Sequence, residues 1–204
     1  MGNSKKYVTA GLLALLLLLG FVIANQQKEI KTYRTLLSET VTTNITNLSI
    51  RLDRFERANH EADDPRYLAD LSSDFHYAAF EVYDNLSYAY KLGYIDLDTY
   101  DKGYLLGSQF FAIHLFLTYI DRENWTDEEA EKIKLIRSLN GRLLAHLTDN
   151  LTGLGSGELN DHYRQPIVGK EDFWYQRLLE LQEISEAFIR EQLPGGRTLD
   201  EYLN

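Results

Sequence analysis

The sequence predicts an all-α chain, in which an N-terminal transmembrane or signal-anchor helix continues into a helical bundle of about five helices. Two observations predict it. Apolar residues recur three or four apart over most of the chain, and no segment alternates with a period of two between hairpin turns; the three prolines in 204 residues speak against a disordered or collagenous chain. Hydrophobic residues make up 44% of the chain, enough for one substantial core.

Residues 1–24 form the first unit. Lys5 and Lys6 precede an apolar run from Tyr7 to Ala24, with Leu12, Leu15 and Leu19 at its centre, and no charge returns until Lys28. At ~1.5 Å per residue this run reaches roughly 27 Å, about the thickness of a bilayer hydrocarbon core. It is therefore expected to cross a membrane and contact lipid. Val22 and Ala24 also put small residues where a signal peptidase cuts, so secretion after cleavage near Ala24 is the alternative. The apolar Gly20-Phe21-Val22-Ile23 favours the uncleaved anchor. Lys5 and Lys6 nearly balance Lys28, Lys31 and Arg34, so orientation rests on the short leading tail, which usually stays cytoplasmic while the following domain is exported. Gly2 does not start a myristoylation motif, because position 6 is Lys where Ser or Thr is needed.

Residues 25–60 are expected to be a stalk and first bundle helix. Ile30, Tyr33, Leu37, Val41, Ile45, Leu48, Leu52 and Phe55 keep helical spacing. Thr40 to Ile50 is uncharged and crowded with Thr, Asn and Ser, which makes it either a soft hinge or the polar face of a packed helix.

Residues 61–193 supply the rest of the bundle. Asp64 and Pro65 mark a helix start, the stripe Leu68, Leu71, Phe75, Ala79, Val82 and Leu86 follows, and Gly93 ends it. Asp96 then caps a helix with Ile95 placed to staple onto Tyr100. Gly103 to Ile120 of that helix carries no formal charge, so it is expected at the buried centre, with Gly103 and Gly107 admitting a close neighbour. Gln109 and His114 make a second membrane span costly there. Thr126 and Glu129 form a capping box ahead of Ile133, Ile136, Leu143 and Leu147. The last helix turns Trp174, Leu178, Leu181, Ile184 and Phe188 inward, and residues 194–204 are left as a C-terminal tail.

The charge belongs to the second part of the chain. The net value is -10, and because residues 1–24 hold two lysines and no acid, the remainder carries -12. Such a surface excludes nucleic acid as a partner, which needs cationic groups to displace counterions from phosphates. The absence of cysteine removes disulfides, thiolate metal sites and cysteine nucleophiles.

Searches for chemistry fail in turn. Gly153, Gly155 and Gly157 lack the lysine and hydroxyl of a phosphate loop. Asp96, Asp98 and Asp101 lack the rest of a calcium loop, and none of the five histidines follows a Glu by three residues or pairs in a His-Glu-x-x-His motif. The Asp and Glu residues around His60 do not place three ligands on one helical face. No Gly-x-Ser-x-Gly elbow occurs. Neither an enzymatic activity nor a metal or cofactor is therefore expected.

What remains is a set of binding candidates. The long connection from Leu151 to Gly169 contains Asp161, His162, Tyr163 and Arg164, and loops of this length are often functional. His114 in the uncharged helix is either a pH-sensitive group or a core histidine bonded to Tyr or a carbonyl. Asn140, beside Gly141, is placed either to set packing register or to mark a kink. Seven tyrosines from Tyr77 to Tyr104 do not share one stripe, and read first as structural and second as a binding patch. Five Asn-x-Ser/Thr acceptors, from Asn44 to Asn150, are ascribed to chance and capping. The expectation is a membrane-anchored, extracytoplasmic, non-enzymatic protein that binds a protein partner, with a small-ligand or pH-sensing domain as the alternative.

Overall fold

The computed structural model describes residues 2–61, 71–121, 124, 126–150 and 173–204. Among them all regular structure is helical: α1 (Gly2–Glu61), α2 (Ser72–Lys91), α3 (Leu97–Tyr119), α4 (Asp127–Asn150), α5 (Phe173–Gln192), a 3-10 turn (Pro194–Gly196) and α6 (Leu199–Leu203). α1 alone has 60 residues, roughly 90 Å at ~1.5 Å each.

Local chemistry sets several boundaries. Gly93 adopts φ 75°, and behind it the Gly93 amide donates to the Tyr90 carbonyl while the Tyr94 amide donates to the Ala89 carbonyl. These two bonds close the end of α2, and the positive φ is available to Gly without a side-chain penalty. Asp96 Oδ1 accepts from the Thr99 amide at 2.8 Å, starting α3 after a four-residue turn. The Thr126–Glu129 box forms in both directions, Thr126 N–H to Glu129 Oε2 and Glu129 N–H to Thr126 Oγ1. Asp64, Pro65, Leu68 and Trp125 lie outside the described residues.

Contacts between side chains fix the chain directions. Asn44 meets Asn85 while Arg51 meets Asp74, so α1 and α2 are antiparallel. His114 meets Ser72 and Ser108 meets Tyr83, which makes α3 antiparallel to α2. α5 runs parallel to α3, since Leu179 lies beside Gly103 and Ser185 bonds Gln109. Their apolar stripes share one core. Ile45, Leu48, Leu52, Phe55 and Ala58 of α1 face Phe75, Ala79, Val82 and Leu86 of α2, Leu106, Phe110 and Ile113 of α3, Ile133, Ile136, Leu143 and Leu147 of α4, and Leu178, Leu181 and Phe188 of α5. Phe55 meets Phe75 edge-on with ring centroids 4.9 Å apart, and Phe75 lies 6.0 Å from Phe110. This aromatic line joins three helices through buried positions.

The uncharged Thr40–Ile50 stretch is helical, in keeping with the packed-helix reading, and Thr40 Oγ1 donates to the Leu36 carbonyl and Asn44 to Asn85. Two expectations change. α3 is not enclosed on every side. It packs chiefly on α2, α5 and α6, and leaves Tyr104, Leu105, Phe111 and Tyr119 exposed. Residues 194–204 are not a loose tail. Thr198 and Glu201 form a second capping box, Leu199 and Leu203 are buried against the core, and Lys132 Nζ donates to the Leu203 carbonyl.

The close α2–α3 approach depends on missing side chains. A Cβ on Gly103 would lie 2.8 Å from Leu86 Cδ1, and one on Gly107 would overlap the Tyr83 ring. That ring cannot swing away freely, because it stacks on Tyr104 with centroids 4.1 Å apart and its hydroxyl meets Ser108. Gly107→Ala is therefore expected to lower stability by about 1–3 kcal/mol, whereas Gly20→Ala, with open space around it, leaves the denaturation midpoint unchanged. Denaturant titration of both variants checks this, and equal midpoints would show that the α2–α3 spacing is set elsewhere.

Candidate functional site

The apolar run lies at the start of α1, with Lys5, Lys6 and Tyr7 in its first turns. Leu12, Leu15, Leu19 and Ala24 are all exposed, and the stretch Gly11–Thr32 takes no part in the core. Its 22 residues, with mean hydropathy 1.5, are long and apolar enough to cross a membrane by length and composition. Among the described residues it is the one helix that is so.

Of the expected binding residues, Asp161, His162, Tyr163 and Arg164 lie outside the described residues. His114 is half-buried at the α2–α3 seam rather than central. Its Nδ1 is 3.0 Å from the Ser72 carbonyl, which can only accept, so Nδ1 carries the proton in that bond. The His76 ring packs 4.7 Å from it, with Phe80 at 4.9 Å and Phe111 at 5.9 Å from His76. Around these two imidazoles α2 and α3 present Tyr77 at 53%, Phe80 at 51% and Phe111 at 39% exposure. Large aromatic groups gathered on one face are a feature of protein interfaces rather than of an ordinary monomer surface.

The same seam continues as a line of tyrosines. Tyr90 lies 5.4 Å from Tyr100, Tyr100 lies 6.3 Å from Tyr104, and Tyr104 stacks on Tyr83. Burial and the neighbouring tyrosines raise the Tyr83 hydroxyl above its usual range, against the opposing bond from Ser108. The tyrosines that do not share a stripe on one helix thus meet across two. Tyr94 joins a different pair, stacking on Tyr175 of α5 at 5.9 Å.

Behind the aromatic face lies a polar seam between α1 and α2. Arg51 donates through Nε to Glu81 Oε1 at 3.1 Å and through Nη1 to Asp74 Oδ1 at 3.1 Å, while its guanidinium sits 4.8 Å from the Tyr77 ring centre. Arg54 adds a second bond to Asp74 Oδ1, and Asn47 bonds the Glu81 side chain. Asp74, Glu81 and Asn85 are all buried, and Asp74 Oδ2 has no hydrogen-bond partner among the described residues. Desolvation outweighs the attraction of Arg51, and the nearby Asp74 charge works in the same direction as burial, so the Glu81 carboxyl is pushed up to about 7. Asn85 is 1% exposed and bonded to Asn44, so the folded chain has no room for a glycan there.

Sequence reasoning missed Tyr77, Phe80 and Phe111 as a group. A signal existed: Tyr77 and Phe80 fall between the core positions Phe75, Ala79 and Val82, on the opposite face of the helix. Asn140 lies at the contact of α4 with α1. It is buried, and its Nδ2 bonds the Leu52 carbonyl at 3.0 Å and Glu56 Oε2 at 3.2 Å, pinning α4 to α1. Among the described residues no group of three His, Asp or Glu side chains is placed to hold a metal.

Glu81 gives the face a dependence on pH. Its folded-state value lies above the unfolded one, so the folded chain binds the extra proton between about pH 4.5 and 7, and stability from this group is full below that window and declines as pH rises through it. On Glu81→Gln the slope disappears: relative to the variant, the wild type loses on the order of 3 kcal/mol across the window. Urea titrations of both at pH 4.5 and 7.5 measure it, and parallel pH profiles would exclude Glu81 as the titrating group.

No protein-family model matches this chain, and no curated protein and no solved structure matches it.

Proposed function

We propose that this chain is a single-pass membrane protein whose extracytoplasmic helical bundle binds a protein partner through the aromatic face of α2 and α3. The observation that carries it is the exposed Tyr77, Phe80 and Phe111 group, a set of rigid apolar anchors that no other part of the described chain covers. The anchor is supported by the exposed apolar start of α1, by Lys5 and Lys6 ahead of it, and by the helix passing unbroken into the core. Lys28, Glu29 and Lys31 fall at the end of the Gly11–Thr32 stretch, which favours a hydrocarbon boundary near Asn25 and leaves the following turns as a stalk. We read the role of the bundle as binding rather than catalysis because the sequence carries no Gly-x-Ser-x-Gly elbow and no His-Glu-x-x-His motif. Secretion after cleavage near Ala24 would leave the same face free in solution.

A pH-responsive variant of this function is favoured by one observation, the Glu81 carboxyl behind the face. Its ionisation near pH 7 acts on Arg51, which is both the ion partner of Glu81 and the cation stacked on Tyr77. Partner affinity would then respond to acidification through the position of the Tyr77 ring.

Two measurements separate the parts. A topology reporter fused after Asn204 is expected to report the extracytoplasmic side, and a cytoplasmic signal would overturn the orientation. A photo-crosslinking amino acid at Phe80 or Phe111 in native membranes is expected to trap one discrete protein, which Phe80→Asp abolishes. The same probe at exposed Ser138 of α4 traps none, and equal crosslinking from all three positions would remove the aromatic face as the binding surface.

A further inference from the structure

A separate feature lies on the other side of α3. Leu105, Ser108 and Gln109 of α3, Glu186, Ile189 and Arg190 of α5, and the segment from Gly196 to Asp200 enclose an open cleft of about 400 Å³. Its size falls within the roughly 300–1,000 Å³ of small-molecule sites. Leu105, 47% exposed, gives it an apolar wall, and Ile189 and Leu199 line it while themselves buried. The cleft exists because residues 194–204 fold back onto α3 instead of extending away.

Charge at the rim is arranged asymmetrically. Each carboxylate around the cleft already takes a hydrogen bond: Glu186 Oε1 from Gln182, Asp200 Oδ1 from Asn204, and Glu201 Oε2 from the Thr198 amide in the capping box. Glu201 also feels the positive charge of Arg197. The guanidiniums of Arg190 and Arg197, by contrast, make no hydrogen bond or ion pair among the described residues. Two forked donors beside an apolar wall match a planar anion carried on an apolar body.

We infer that this cleft binds a small amphipathic carboxylate, its apolar chain against Leu105, Ile189 and Leu199 and its carboxylate between Arg190 and Arg197. The inference is independent of the partner surface, which lies on the α2 side of α3. Gln109 and Ser108 bring polar groups to the same cleft, but Gln109 Oε1 is occupied by Ser185 and Ser108 Oγ by Tyr83 and the Tyr104 carbonyl. The arginines match the charge of the head group, and the Gln109 Nε2 donors, which its bond from Ser185 leaves free, add to their hold.

The test uses the full chain in lipid nanodiscs, with octanoate as probe and octanol and octyl phosphate as comparators. A diazirine analogue of octanoate is expected to label peptides containing Leu105 and residues 186–200, with unlabelled octanoate competing at least about tenfold better than octanol, the minimum for a lost charged hydrogen bond. The Arg190→Gln, Arg197→Gln double variant should lose that preference and keep octanol binding, while Leu105→Trp should block both by filling the cleft. Labelling spread evenly over the chain overturns the site, and so does octanoate competing equally well in the wild type and the double variant. Tighter competition by octyl phosphate than by octanoate overturns the carboxylate assignment. Labelling of the wild type is read without any substitution, so a variant that fails to fold does not protect the inference.

Discussion

The structure depends on how α1 is held by α2. Arg51 supplies the main positive charge for two buried carboxylates, Asp74 and Glu81, spaced two helical turns apart on α2. An ion pair of this kind is costly to bury, and removal of one partner leaves an uncompensated charge, worth on the order of 3–5 kcal/mol. It stabilises little beyond what an apolar pair would, but it favours one register. A slide of α1 by one turn would take Arg51 from one of the two acids it bridges and Asn44 from Asn85 at once. The apolar stripe alone, with Ile45, Leu48 and Leu52 alike in character, discriminates far less between neighbouring registers.

Once that register is set, the remaining helices have few choices. Phe55 meets Phe75, Phe75 approaches Phe110, and Asn140 reaches the Leu52 carbonyl and the Glu56 carboxylate one turn apart on α1. The two surfaces proposed for binding are by-products of the same arrangement. α3 is covered on its inner side by α2 and α5 and on part of its outer side by α6, so its surplus of apolar residues emerges in two places, as Phe111 beside the imidazoles and as Leu105 in the cleft.

Much of the fold was legible because helical periodicity and end signals are local. The stripes from Ile45 to Phe55, Phe75 to Leu86, Ile133 to Leu147 and Leu178 to Phe188 turn inward as their spacing requires, and Gly93, Asp96 and the Thr126–Glu129 box end or begin helices where they stand. The Thr198–Glu201 box was equally local, yet the following helix has only five residues and its anchoring comes from Lys132, 71 positions away. The candidate site was much less legible. Arg51 with Asp74 and Glu81, His76 with His114, and Leu105 with Arg197 are brought together by rotation of one helix about another, which period alone does not determine. The tyrosines show the same limit, since Tyr83 and Tyr104 share no stripe but stack because Gly107 lets their helices approach.

The unbroken course of α1 has a geometric consequence. Between Asn25 and Leu36 the helix has no covering neighbour where it is described, so nothing but its own backbone fixes the angle between the apolar run and the body. Each residue of an α-helix advances the azimuth by about 100° and the height by ~1.5 Å. With the run held in a bilayer, deletion of one residue from this stretch would scarcely change the height of the body, yet would turn the Tyr77, Phe80 and Phe111 face by more than a quarter of a revolution. For a chain held in that way the length of this stretch sets a phase, and its sequence is freer to vary than its count of residues.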